Sequence, residues 1–74
     1  MNLIQLKSKL NYERVDPSSY FLKGGLPNEA FCLGNINGIW EVYYSERGNK
    51  TSLKTFNVEE EACLYFYNWL KSMI

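Results

Sequence analysis

The side chains that could do chemistry in this chain are few, and the absences among them matter. There is no histidine, so the usual proton shuttle at neutral pH is missing. A serine or cysteine nucleophile would lack its customary base. Cys32 and Cys63 lie far apart with no CxxC pair. Two sulfurs without an imidazole make too small a ligand set for zinc, so no metal site and no cofactor is expected. The run Glu59-Glu60-Glu61 offers paired carboxylates of the kind that hydrolyse sugars. It is better explained as the start of a helix, whose positive dipole end favours acidic side chains. Gly24-Gly25 is not a phosphate cradle, because no Lys-Ser/Thr follows and no helix opens there. The residue types argue against an enzyme.

Binding is the chemistry left over. The stretch Trp40–Gly48, WEVYYSERG, places Glu41 and Tyr43 on alternate positions to Trp40, Val42 and Tyr44, with Glu46-Arg47 directly after. In a strand, one set builds a core and the other is free to meet a partner. Tyrosine and arginine favour binding hot spots, and carboxylates complement a basic partner. Asn28 and Glu29 are expected near this group, and Glu59 and Glu60 form a second acidic candidate. Two competing readings of that face are an ordinary solvated surface and a face covered by the N-terminal helix. Leu64 and Tyr67, on the back of the last helix, are candidates for an oligomer contact.

These side chains need elements to position them. Leu3, Leu6 and Leu10 recur at three and four, which predicts a short helix over Asn2–Leu10. Asp16-Pro17-Ser18 stops it, and Tyr20–Lys23 is a short strand candidate before an irregular loop. Asn37-Gly38 predicts a two-residue type I′ hairpin. That turn sets the register: Ile36 opposite Ile39, Asn35 opposite Trp40, Leu33 opposite Val42 and Phe31 opposite Tyr44. Phe31, Leu33, Trp40, Val42 and Tyr44 then face the core, and Cys32, Gly34, Ile39, Glu41, Tyr43 and Ser45 face away. SERGNK makes a looser turn into a third strand, Thr51–Phe56. Asn57 and Glu60 make a capping box for a final helix. On it Val58, Ala62, Tyr65, Phe66, Trp69 and Met73 form the buried stripe. The expectation is a single α+β domain over residues 1–74, a three-stranded antiparallel meander with the C-terminal helix packed on one sheet face, in αβββα order.

That order is shared with double-stranded RNA-binding domains, which need basic residues where the final helix begins. Here that position holds three glutamates, which repel phosphate, so charge contradicts an RNA-binding role. The chain as a whole is neutral, with eight basic and eight acidic residues, but the charge is unevenly placed. Residues 1–23 hold Lys7, Lys9, Arg14 and Lys23 against Glu13 and Asp16, while residues 29–61 are net acidic. A 16% aromatic content supplies the large side chains a small core requires. No apolar run approaches a membrane span, Met1–Leu10 has no signal-peptide core, and two free thiols fit a reducing cytoplasm.

Three phrases, GGLPNEAFCL, WEVYYSERG and EEEACLYFYNWL, together resemble small bacterial immunity proteins encoded beside polymorphic or contact-dependent growth inhibition toxins. The resemblance runs over about Tyr20 to Leu70. It implies a cytoplasmic protein that binds and neutralises one cognate toxin domain, often a nuclease, with no turnover. Such families keep a scaffold and vary their contacts, so specificity residues can also lie in the first nineteen positions. The alternatives are a small homodimeric regulatory or adaptor domain using Leu64 and Tyr67, and an RNA-binding αβββα module.

Overall fold

A computed structural model describes residues 1–74. The architecture is α+β: helix α1 (Leu3–Tyr12), a 3₁₀ turn (Pro17–Ser19), strands β1 (Tyr20–Phe21), β2 (Ala30–Ile36), β3 (Ile39–Glu46) and β4 (Asn49–Phe56), then helix α2 (Glu59–Met73). The sheet order is β1-β2-β3-β4. The meander has the expected three antiparallel strands. A short parallel strand, β1, adds a fourth, pairing Tyr20 with Phe31 and Phe21 with Cys32.

The hairpin register is the one the Asn37-Gly38 turn dictates. Ile36 faces Ile39, Leu33 faces Val42, Cys32 faces Tyr43 and Phe31 faces Tyr44. Asn37 and Gly38 both have positive φ, at 52° and 88°, as a type I′ turn requires. The Asn35 side chain braces the turn by accepting a hydrogen bond from the Gly38 N–H. The second turn is tighter than SERGNK suggests. Arg47 and Gly48 also both have positive φ, so Glu46 pairs directly with Asn49 and β4 starts two residues earlier than expected. A bulge at Ser52, φ 57°, breaks the β3–β4 ladder between Val42 and Tyr44.

Helix α1 opens on a capping box between Asn2 and Gln5. It closes with Arg14 at φ 58°, the Val15 N–H bonding back to the Leu10 carbonyl and the Arg14 N–H to that of Asn11. This is a Schellman closure without glycine, held by the contact between Val15 and Leu10 in the core. The leucine stripe is as expected, with Leu6 and Leu10 fully buried.

Helix α2 departs from the expected arrangement in two ways. Its cap is Val58, with no side-chain hydrogen bond, so the Asn57–Glu60 capping box does not form. Its first-turn carboxylate works elsewhere: Glu59 accepts from the Leu3 N–H at 2.8 Å, tying the starts of the two helices together. The buried stripe is also rotated. Ala62, Cys63, Phe66 and Leu70 are fully buried, Tyr65 and Trp69 are half-buried, and Val58 and Met73 are exposed. The cause is α1, which packs against α2 and draws Cys63 and Leu70 into one cluster with Leu6, Leu10, Leu33 and Val42. Periodicity finds the stripe's width, but the second helix decides its centre. Beside this cluster Phe31 packs edge-on to Tyr44 and Trp69, with ring centroids 4.9 and 4.8 Å apart.

Candidate functional site

The outer face of the sheet was expected to stand free, and it does not. The chain from β1 to β2, residues 22–29, crosses it as a strap. Cys32, Tyr43 and Ser45 beneath it are fully buried. The Tyr43 hydroxyl donates to the Gly25 carbonyl and the Ser45 hydroxyl donates to the Pro27 carbonyl, each at 2.6 Å. The Gly24 N–H donates to the Leu33 carbonyl at 3.2 Å. Parallel strands need a crossover, and here it is too short for a helix, so an irregular segment is laid on the sheet. Its carbonyls then need donors, which the two hydroxyls supply.

Tyr43 is therefore corrected from a partner-facing residue to the strap's main anchor. Burial and the neighbouring Cys32 push its hydroxyl up to about 12, so it stays a donor at any ordinary pH. Burial likewise pushes the thiols of Cys32 and Cys63 up to about 11, which leaves both as protonated packing groups. Cys32 donates weakly to the Ala30 carbonyl.

Glu41 also lies on the outer face, but it is half-covered and committed. Lys50 reaches from β4 over the Tyr43 ring, 4.8 Å from its centroid, to pair with Glu41 at 2.7 Å. This ion pair removes Glu41 from the acidic surface that composition suggested. The spacing of Lys50 in the sequence carries no hint of it, because only the β3–β4 pairing brings the two together.

The remaining candidates separate into two groups. Asn28, Glu29, Glu46 and Arg47 meet at one end of the sheet, immediately beyond the Ala30–Ser45 pair. Asn28, Glu29 and Arg47 are exposed, and neither Glu29, Glu46 nor Arg47 enters an ion pair. Glu29 and Arg47 both hold positive φ, at 51°, Glu29 where the strap enters β2 and Arg47 in the second hairpin turn. Leu26, which was not among the expected contacts, is 52% exposed on the strap between the anchored carbonyls of Gly25 and Pro27. Glu59 and Glu60 sit at the opposite end, where α2 starts beyond the Trp40–Phe56 pair. Glu60 is exposed, whereas Glu59 is engaged with α1.

On the back of α2, Leu64 is 52% exposed, as an oligomer contact would require. Tyr67 is not free. Its hydroxyl donates to both carboxylate oxygens of Glu13, at 2.8 and 2.7 Å. Lys71 and Lys9 also reach Glu13, at 2.9 and 3.3 Å. With Lys71 and Tyr67 as the main donors, the Glu13 carboxyl is held down to about 2. This cluster is a clasp between α1 and α2.

Two grooves open on the helix side. One runs between α1 and the 3₁₀ turn, lined by Ile4, Lys7, Ser8, Asn11, Pro17 and Tyr20. The other, of about 330 Å³, lies under the end of α2 among Phe31, Tyr44, Thr51, Ser52, Trp69 and Met73. No group of three or more cysteine, aspartate or glutamate side chains comes together as a metal site would need. No helix is long and apolar enough to cross a membrane.

Gly34 was the overlooked signal. Glycine inside a strand marks a place where another backbone comes close. A Cβ at Gly34 would stand 2.7 Å from the Gly24 Cα, so the strap rests directly on it. No protein-family model, curated protein or solved structure matches this chain.

Proposed function

We propose that this chain is an immunity protein that binds a cognate bacterial toxin domain in the cytoplasm and occludes its active site, without turnover. The observation that carries this reading is the sheet end at Glu29 and Glu46. Two carboxylates without an ion pair stand there beside Arg47 and Asn28, on turns that the buried sheet holds in place. A toxin that cleaves nucleic acid must present a basic site to hold phosphate. Carboxylates on a rigid support can stand in for those phosphates, and opposite charge speeds encounter. The resemblance to immunity proteins supports the same reading. The strap supports it physically: fixing Asn28 and Glu29 before encounter lowers the ordering cost of binding.

The contact surface is accordingly placed at the sheet end, with Glu41 and Tyr43 behind it as support. The homodimer reading keeps Leu64 but not Tyr67, whose hydroxyl serves the helix clasp.

The test starts from the protein encoded next to this one: the reading requires a large secreted protein there, and its C-terminal domain is the binding partner to use. Glu29→Lys with Glu46→Lys is expected to slow association with that domain roughly tenfold at low salt and less at high salt. Thermal melting should stay near wild type, because Glu29 is exposed, Glu46 is half-exposed without an ion pair, and surface charge changes usually move stability by about 0.5 kcal/mol or less. Equal association rates for both proteins would remove the sheet end from the interface. No binding by the wild type would remove the immunity reading itself.

A further inference from the structure

The meander ends in a strand with only one neighbour. β4 pairs with β3 on one side, and no strand lies on the other. No hydrogen bond from a turn, loop or side chain reaches the β4 backbone along that free edge. Such an edge is a template for a further strand. The Ser52 bulge limits it, so the usable run is the regular part Leu53–Phe56 together with Thr51 where the ladder resumes.

Two further features lie on the helix side of this edge. Lys54 pairs with Val42, which places it on the helix face; it is exposed and has no acidic partner. The groove of about 330 Å³ opens beside Thr51 and Ser52, walled by Phe31, Tyr44 and Trp69 and ending at Met73, which is 61% exposed. β4 carries no acidic residue, and of its two lysines only Lys54 is unpaired, since Glu41 holds Lys50 on the other face. In a strand every second side chain shares a face. A segment paired to β4 would therefore present one side chain to Lys54 and the next on that face to the groove.

We infer that the β4 edge and the aromatic groove beside it form a docking site for an extended segment of a partner protein that carries one carboxylate, and that this segment adds to the sheet as a fifth strand. Backbone hydrogen bonds supply the affinity, and alternate side chains supply the selectivity. The segment carries a carboxylate opposite Lys54 and, two residues along, an aromatic or branched apolar side chain that enters the groove. The site does not depend on the toxin reading, since the contacts at Glu29 and Glu46 take no part in it.

The probe is a blocked eight-residue peptide with threonine at alternate positions and, between them, one glutamate and one tryptophan two residues apart. Its control is the same peptide with N-methyl groups on the amides that would face β4. Titration into isotope-labelled protein should shift the amides of Thr51–Phe56 and the Trp69 indole. N-methylation should weaken binding by roughly tenfold or more, because it removes the pairing donors. Lys54→Glu and Met73→Asp should each weaken it several-fold, and both replace exposed side chains, so the fold persists. The inference is overturned if about 1 mM peptide moves none of these signals. It is also overturned if N-methylation or the two substitutions leave binding unchanged. Concentration-dependent changes along β4 without peptide would show that a second copy of the chain takes the edge, and would overturn it too.

Discussion

On one face of the sheet Leu33 and Val42 disappear beneath α2, and on the other Cys32, Tyr43 and Ser45 disappear beneath residues 22–29. A helix satisfies its own backbone, so what it covers needs only to be apolar and well shaped. An irregular strap cannot satisfy its carbonyls, so the surface beneath it must carry donors at fixed points. Tyr43 and Ser45 are those donors. The helix face is held by apolar burial, and the strap face by a few directional bonds over a small satellite core of Ala30, Cys32 and Tyr43. A face that looks available for binding in the strand pattern can thus be closed by its own connection.

The contrast can be broken most severely on the helix face. Val42→Asp buries a carboxylate with no partner, at a cost of several kcal/mol in a domain whose whole stability is expected to be about 5 kcal/mol. The variant should show no cooperative melting by circular dichroism. A normal melt would mean that Val42 is not under α2.

The strap face should yield in part rather than collapse. Gly34→Ala drives a Cβ into the Gly24 backbone, so the strap must lift while the helix-side core remains. Tyr43→Phe leaves the Gly25 carbonyl without its donor and should cost about 1–3 kcal/mol. Amide exchange separates the two faces: the Gly24 N–H should exchange faster in both variants, while the amides of Phe66 and Leu70 keep most of their protection. Equal loss of protection everywhere would show that strap and core unfold as one unit.

The smallest effect belongs to the helix clasp. Glu13 has its carboxyl lowered from 4.5 to about 2 by Lys71, Tyr67 and Lys9. A depressed carboxyl stabilises the fold above its unfolded value and loses that contribution as pH falls through its folded value. Wild-type melting temperature should therefore decline between pH 4.5 and 2 by a component that Glu13→Gln lacks. The site is partly open to solvent, which screens it, so the difference should be small. Parallel curves for the two proteins would show that the clasp adds nothing.

The amino-acid sequence by itself determined the hairpin and the class of fold. Asn37-Gly38 demands positive φ at two adjacent residues, and that one local requirement sets every β2–β3 pair from Ile36–Ile39 to Ala30–Ser45. The leucines of α1 mark its buried face by spacing alone. Alternation also sorted Cys32, Tyr43 and Ser45 correctly onto the face opposite Val42. What covers that face is a different kind of question, because the strap anchors join Gly25 to Tyr43 and Pro27 to Ser45 across many residues of chain. No local propensity encodes such pairs; they exist only once β1 has docked in parallel on β2. The same holds for α2, whose buried stripe turns toward Cys63 and Leu70 because α1 is there to receive them. It holds again for Glu41, acidic in the sequence and neutralised in the fold by Lys50 from the next strand. Dihedral demands and side-chain period act within a few residues, so they are written locally. Burial and charge compensation are sums over neighbours brought together from the whole chain, so only the tertiary structure decided them.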